Sequence, residues 1–205
     1  MPGLFISFEG GEGAGKSTQI SRLAAALRAE GHEVVVTLEP GGTELGQAVR
    51  RILLTPGSHV TPRAEALLYA ADRAHHVETV IEPALAAGKV VICDRYADST
   101  FAYQGAGRAL DIDKVRQIMA FAVAGRWPDL TLLLDVDPRV GLRRARGHGP
   151  GDRIEAEGLA FHDAVRRGFL ELAANEPQRF RVIDAGGSMD DVSGLIGESV
   201  AERLA

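Results

Sequence analysis

The stretch Leu4-Phe5-Ile6-Ser7-Phe8-Glu9-Gly10-Gly11-Glu12-Gly13-Ala14-Gly15-Lys16-Ser17-Thr18 decides the fold. Leu4–Phe8 is a short apolar run of the kind that forms a buried strand. Gly10 to Ser17 then satisfies G-x-x-x-x-G-K-[ST], the pattern of a phosphate-binding loop. Its glycines let the backbone turn tightly, so that N–H groups aim at phosphate oxygens, and the helix that follows adds its positive end. The pattern assigns Lys16 to the β/γ-phosphates and the Ser17 hydroxyl to Mg²⁺. Gly10, Gly11, Glu12, Gly13, Ala14, Gly15, Lys16, Ser17 and Thr18 are together read as a nucleoside-triphosphate cradle.

Outward from this loop, apolar runs alternate with helical patterns. Leu4–Phe8, Glu33–Leu38, Val90–Cys93, Leu130–Val136 and Arg181–Ile183 read as five strands. The segments near 16–30, 44–54, 63–87, 111–125, 138–146, 155–175 and 189–204 read as helices. Such alternation predicts an α/β fold, a parallel sheet with helices on both faces and ligands gathered beyond the carboxyl ends of the strands.

The 205 residues are 45% hydrophobic and 25% charged, which suits one globular domain and excludes a disordered tail or a small disulfide scaffold. A net charge of −5 argues against nucleic-acid or membrane partners. The lone Cys93 points to a reducing, cytoplasmic setting, and neither a signal peptide nor a membrane-spanning run is expected. The scattered histidines offer no zinc spacing. Only three of the 23 basic residues are lysines (Lys16, Lys89, Lys114), a bias best laid to genome composition.

The remaining motifs separate the uses of a phosphate loop. There is no N-K-x-D of a guanine switch, since Lys114 lies in Asp-Ile-Asp-Lys-Val. The segment 139–153 carries Arg139, Arg143, Arg144, Arg146 and Arg153 against Asp152, with Gly147, Gly149, Gly151 and Pro150. It reads as a cationic, mobile lid suited to closing over polyphosphate. Two apolar runs end in an acid, Asp94 and Asp135, and either could hold Mg²⁺ through water. Asp94 is preferred because Arg95 follows it, placing a metal-binding acid and a phosphate fork at one strand tip.

At this point the chain resembles the bacterial thymidylate kinases. The resemblance is carried by Gly10–Thr18, Glu39-Pro-Gly-Gly42, Tyr69-Ala-Ala-Asp-Arg73, Asp94-Arg95-Tyr96, Ser99-Thr100-Phe-Ala-Tyr103-Gln104 and Asp152-Arg153-Ile-Glu155, in order from about residue 4 to 200. It implies a nucleoside-monophosphate kinase fold with five parallel strands, and MgATP-dependent phosphorylation of dTMP to dTDP, for dTTP synthesis, by a homodimer. It also implies a dTMP site of Glu12, Glu39, Arg50, Tyr69, Arg73, Arg95, Thr100, Tyr103 and Gln104. In it, Arg95 and Arg50 hold the acceptor phosphate, while Tyr69 and Arg73 meet the base. Thr100 and Gln104 are further base contacts, and Tyr103 crowds the sugar against a 2′-hydroxyl.

Glu12 is placed towards the acceptor sugar, because a carboxylate among phosphates would repel them. Arg153 is the arginine matched to the transition-state contact, and Arg143 is assigned to ATP. Lys16, Arg95, Arg153 and Glu12 are thus the expected catalytic set, and Ser17 and Asp94 the metal set. Spacing supports the base pair independently: Tyr69 and Arg73 stand i, i+4 on one helix face, with Leu67, Ala71, Ala74, Ile81 and Leu85 expected opposite as a core stripe. Leu38 and His148 depart from the family pattern: relatives often have arginine at the first position and close relatives can have another at the second. The other readings are a kinase for another pyrimidine monophosphate and a non-catalytic ATP-binding regulator.

Overall fold

The computed structural model describes residues 3–147 and 151–204. Its sheet has five parallel strands in the order β2-β3-β1-β4-β5. They are β1 (Leu4–Glu9), β2 (Val34–Leu38), β3 (Val90–Asp94), β4 (Leu130–Asp135) and β5 (Phe180–Asp184). β1 takes the centre because all six of its residues are buried, as a strand covered on both faces requires. Its side chains alternate: Leu4, Ile6 and Phe8 meet α1 (Lys16–Ala29) and the C-terminal helix (Met189–Leu204). Phe5 packs instead with Val77, Ile81, Val91 and Met119.

The helices between these are α2 (Glu44–Leu54), α3 (Pro62–His76), α4 (Glu82–Ala86), α5 (Ala97–Thr100) and α6 (Ile112–Val123). After β4 come α7 (Pro138–Arg146), α8 (Leu159–Asn175) and α9, the C-terminal helix already given. The expected helix 63–87 is one continuous rod with a π-helical turn, Val77–Ile81, joining α3 to α4. Pro83 accounts for the turn: it has no N–H to donate and its ring crowds the preceding turn, so the ladder widens just ahead of it.

The buried stripe of α3 differs from the expected one. Leu67 is 51% exposed and Ala71 is also exposed, while Ala66, Ala70, Arg73, His76 and Val77 are buried. A polar face lies inward here because Glu39 neutralises it, with Oε2 accepting from Arg73 Nε at 2.7 Å. Sequence periodicity places apolar residues inside and cannot see a buried charge that has a partner. One helical stretch, α5 and the π-helical Phe101–Gly107 that continues it, has no apolar periodicity and was not anticipated. The helix expected near 138–146 is α7, so the first half of the arginine-rich segment is helical.

Register brings the chemistry to one rim. Phe8 and Leu38 both stand opposite Asp94, so the loops after β1, β2 and β3 leave the sheet side by side. Arg95 N–H donates to Phe8 O at 2.9 Å and Glu39 N–H to Asp94 O at 3.0 Å, which extends the ladder into those loops. Beneath them, the fully buried Asp98 of α5 accepts both arms of the Arg179 guanidinium, at 2.7 and 3.0 Å. Thr131 Oγ1 accepts from the same guanidinium at 2.7 Å. Removing one partner of such a pair strands the other in a dry interior. Asp98→Ala is therefore expected to destabilise the protein by about 3–5 kcal/mol in urea unfolding, an exposed control such as Asp113→Ala by little.

Candidate active site

The glycine loop wraps the N-terminus of α1. Gly10, Gly13 and Gly15 all have positive φ (137°, 64° and 91°), and Gly15 caps the helix. Gly13 is also required by packing, because a Cβ there would lie 2.0 Å from Gly141 O in α7. Helix α7 thus rests directly on the loop backbone. Lys16 is buried, and its Nζ donates to Gly10 O at 3.1 Å and Gly11 O at 2.9 Å. The loop itself holds the lysine in place.

Arg95 is the second cation. Its φ is 69°, a conformation costly for a bulky residue and held only where the surroundings over-determine it. They do so here: Nη1 donates to Gly10 O at 3.0 Å, Nη2 donates to Glu12 Oε1 at 2.8 Å, and the guanidinium lies 4.9 Å from the Tyr103 ring centre. Tyr103 Oη donates to the same Glu12 oxygen at 2.7 Å. Burial would raise the Glu12 pKa, but Arg95, Lys16 and the Tyr103 hydroxyl outweigh it and lower it to about 2. Glu12 is therefore a carboxylate at all working pH values, turned from the loop towards Arg95 and Tyr103.

Sequence reasoning passed over Glu9. It is fully buried, accepts Tyr96 N–H at 2.7 Å and Ser99 Oγ–H at 2.6 Å, and so pins the turn that carries Arg95. Burial, then the nearby Asp98, raise its pKa well above the usual carboxylate range. The available signal was an acid ending an otherwise apolar strand.

A cavity of about 820 Å³ runs from the glycine loop along the rim. Glu12, Glu39, Arg50, Tyr69, Arg73, Arg95, Thr100, Tyr103 and Gln104, the whole expected acceptor set, line it. Arg73 is 1% exposed and is aimed by three contacts: Nε to Glu39, and Nη1 to Thr100 Oγ1 at 2.9 Å and to Met119 Sδ at 2.8 Å. Glu39 Oε1 in turn meets His76 Nδ1 at 2.8 Å, and His76 Nε2 meets Thr37 Oγ1 at 2.7 Å. Glu39, His76 and Cys93 place ligand atoms within 4.8 Å of one another. Both imidazole nitrogens are already hydrogen-bonded, however, so this cluster reads as a wired support for Arg73. Arg50 reaches the cavity from α2, its Nη1 donating to Pro40 O at 2.9 Å.

For a divalent cation, the two acids separate cleanly. Ser17 Oγ donates to Asp94 Oδ2 at 3.2 Å, and both residues line the cavity. Asp135 is instead clamped by Arg166, whose Nε and Nη2 donate at 2.7 and 2.8 Å. A hydroxyl and a carboxylate beside a phosphate loop are hard oxygen donors, which fits Mg²⁺.

The arginine-rich segment differs most from expectation. Arg143 is exposed and does not line the cavity, whereas Arg144 does, with Nη1 donating to Ala185 O at 3.0 Å. On α7 the two point about 100° apart, so only one of them can face the cavity. Arg153 is turned away from the phosphate side: Nη2 donates to Glu65 Oε2 at 2.5 Å and Nε to Leu53 O at 2.7 Å. Glu65 explains this, being a carboxylate with no exposure that also accepts from Gln104 Nε2 at 2.7 Å and from Arg108 Nε at 3.3 Å. A buried anion holds whatever cations reach it. His148 lies outside the described residues. Leu38 lines the cavity, 37% exposed.

Comparison with known proteins agrees with this geometry. The family model described as thymidylate kinase matches residues 8–196. A thymidylate kinase of Deinococcus radiodurans is 54% identical over 201 residues, covering 98% of each chain. One from Clavibacter sepedonicus is 58% identical over 189 residues, covering 91% of this chain and 89% of its own. One from Synechococcus sp. (strain JA-3-3Ab) is 56% identical over 201 residues, covering 98% and 97%. With the glycine loop, the Asp94-Arg95-Tyr96 turn and the Glu39–Arg73 support on one rim, the chain belongs to the thymidylate kinase family.

Proposed function

We propose that the protein transfers the γ-phosphoryl group of MgATP to the 5′-phosphate of dTMP, forming ADP and dTDP for dTTP synthesis. The observation that carries this reading is the Glu12–Arg95 bond at 2.8 Å, which joins a triphosphate loop to a second phosphate-binding cation in one cavity. A switch or regulator has no use for that second site.

The acceptor phosphate has a second pKa near 6 and is largely dianionic at neutral pH. It is a nucleophile already and needs no general base. The γ–β bridge bond breaks as the acceptor oxygen bonds to the γ-phosphorus, so catalysis reduces to alignment and charge neutralisation. Lys16 serves the donor side, Arg95 and Arg50 the acceptor phosphate, and Arg144 closes from α7. Mg²⁺, held by Ser17 and through water by Asp94, would neutralise charge on the β- and γ-phosphates. Glu12 orients Arg95 and Tyr103 and faces the sugar, where the Tyr103 ring leaves little room for a 2′-hydroxyl. Tyr69 stacks on the base and Arg73 donates to a base carbonyl, with Thr100 and Gln104 beside it.

A homodimer fits the surface. Leu45 and Ile52 of α2, Leu67 of α3 and Phe121 of α6 are exposed, Phe121 at 88%, on helices that pack side by side. Apolar surface of this kind marks an interaction face. The buried free thiol of Cys93 fits a reducing cytoplasm, and no helix among the described residues is long and apolar enough to cross a membrane.

The decisive experiment measures ADP release with MgATP across a panel of nucleoside monophosphates. Stimulation by dTMP above dUMP, dCMP and UMP is expected, and loss of at least about a thousandfold in turnover with Lys16→Ala or Arg95→Ala. No stimulation by any monophosphate would support the regulator reading. Arg73→Ala is expected to raise KM for dTMP and relax discrimination against dCMP; unchanged discrimination would remove its base-reading role. Phe121→Asp is expected to shift the protein towards monomer in sedimentation, an unchanged mass removing that face from the dimer.

A further inference from the structure

Asp72 is the one buried carboxylate among the described residues whose two oxygens both lack a hydrogen-bond partner of full geometry. It has no solvent exposure. Its neighbours on α3, Arg73 and His76, are both engaged by Glu39. An unsatisfied buried acid normally costs stability, so its place in the fold calls for a reason.

The reason lies in what it touches. A Cβ on Gly46 would sit 2.2 Å from Asp72 Oδ1 and 3.0 Å from Gly41 N. The carboxylate thus fills the space of the side chain that Gly46 lacks, wedged between the first turn of α2 and the loop after β2. Gly46 N–H is already taken by the Thr43 cap, at 2.9 Å, and the Gly41 N–H lends Asp72 only weak support. What remains is charge: an anion against the positive end of an 11-residue helix. That helix carries Arg50, whose Cδ would lie 3.2 Å from a Cβ on Gly41 and whose Nη1 holds Pro40 O.

We propose that Asp72 is a positioning residue for the acceptor half of the site: its charge anchors α2 and the Glu39–Gly42 loop to α3, and so sets where Arg50 and Glu39 stand. The inference rests on the reading that those two residues serve the acceptor. It makes Asp72 a group kept at a cost to stability for the sake of substrate affinity.

The groups facing Asp72 are Glu39 and the Gly41 N–H from the loop after β2, and Arg73 and His76 from its own helix. Burial, then repulsion from Glu39, raise its pKa from the ordinary 3.8 to about 6, against the pull of Arg73 and His76. The folded protein therefore binds the extra proton more tightly than the unfolded chain between these values. Stability falls as pH rises through that window, and the cost of the buried charge stands in full above it. Acceptor binding moves the other way, because the anchoring charge exists only above about pH 6.

The test is Asp72→Asn, which keeps the shape and removes the charge, with dTMP affinity measured by calorimetry and initial rates from pH 5 to 8.5. At pH 8 the variant is expected to bind dTMP roughly three- to tenfold more weakly, with kcat at saturating dTMP changed less than KM. The ratio of wild type to variant should approach one at pH 5; titration of the dTMP phosphate occurs in both proteins and cancels. The variant should also melt higher than wild type above pH 6, the difference fading near pH 4. Asp72→Leu serves as a second uncharged variant should Asn fold poorly. Equal affinity at pH 8, or a ratio constant across the range, overturns the proposal. Arg50→Ala separates the two layers. If it leaves KM for dTMP unchanged, the acceptor placement itself falls and the Asp72 role falls with it. If it raises KM while Asp72→Asn does not, only the Asp72 role is wrong.

Discussion

The Glu12–Arg95 ion pair is the contact on which the geometry of the site depends. It closes a ring: Glu12 lies in the glycine loop after β1, Arg95 in the turn after β3, and Arg95 also binds the Gly10 carbonyl. Two strand ends that meet only as backbone in the sheet are thereby locked as side chains beyond it. The pair also offsets the left-handed backbone of Arg95, a strain that isolated sequence preference would not allow. Both charges are about four-fifths shielded, so their attraction is stronger than at a surface, and Tyr103 adds a hydrogen bond and a ring face.

Behind this ring the molecule uses buried acids as supports. Glu9 holds the Arg95–Tyr96 turn, Glu39 holds Arg73, Glu65 holds Arg108, Arg153 and Gln104, and Asp98 holds Arg179. Each aims a donor at a fixed point from a position of almost no exposure. The arrangement gives net charge little meaning: an acidic chain binds phosphate because a few cations stand in the cavity and many of the others are tied to acids below it.

The strands and most helices were legible because apolar periodicity follows from burial in a sheet covered on both faces, and Leu4–Thr18 carries a motif whose residue types are dictated by phosphate. The residues assigned to the acceptor, which line one cavity, were named only through resemblance, since Tyr69 and Arg73 share a face but spacing alone does not name a base. Helix α5 and its π-helical extension were invisible, as Ser99–Gly107 buries Phe101 and Tyr103 among polar and small residues, so no period of 3.6 stands out. Leu67 and Ala71 were misplaced for the related reason that α3 buries charge, a pattern hydropathy scores as surface.

Arg153 shows where motif reading reaches its limit. An arginine in a glycine-rich basic segment is a good candidate for a phosphate contact, and nothing local argues otherwise. What decides its position is Glu65, 88 residues away in sequence, on a different helix and fully buried. Satisfying that carboxylate takes precedence over reaching towards a ligand, because an unpaired buried anion costs more than an exposed cation gains. Arg144, by contrast, lies on α7, whose Gly141 abuts the glycine loop, and it enters the cavity as a consequence of helix phase. Which arginines of the segment face the cavity is thus set by helix phase and by acids elsewhere in the fold, not by the arginine-rich composition itself.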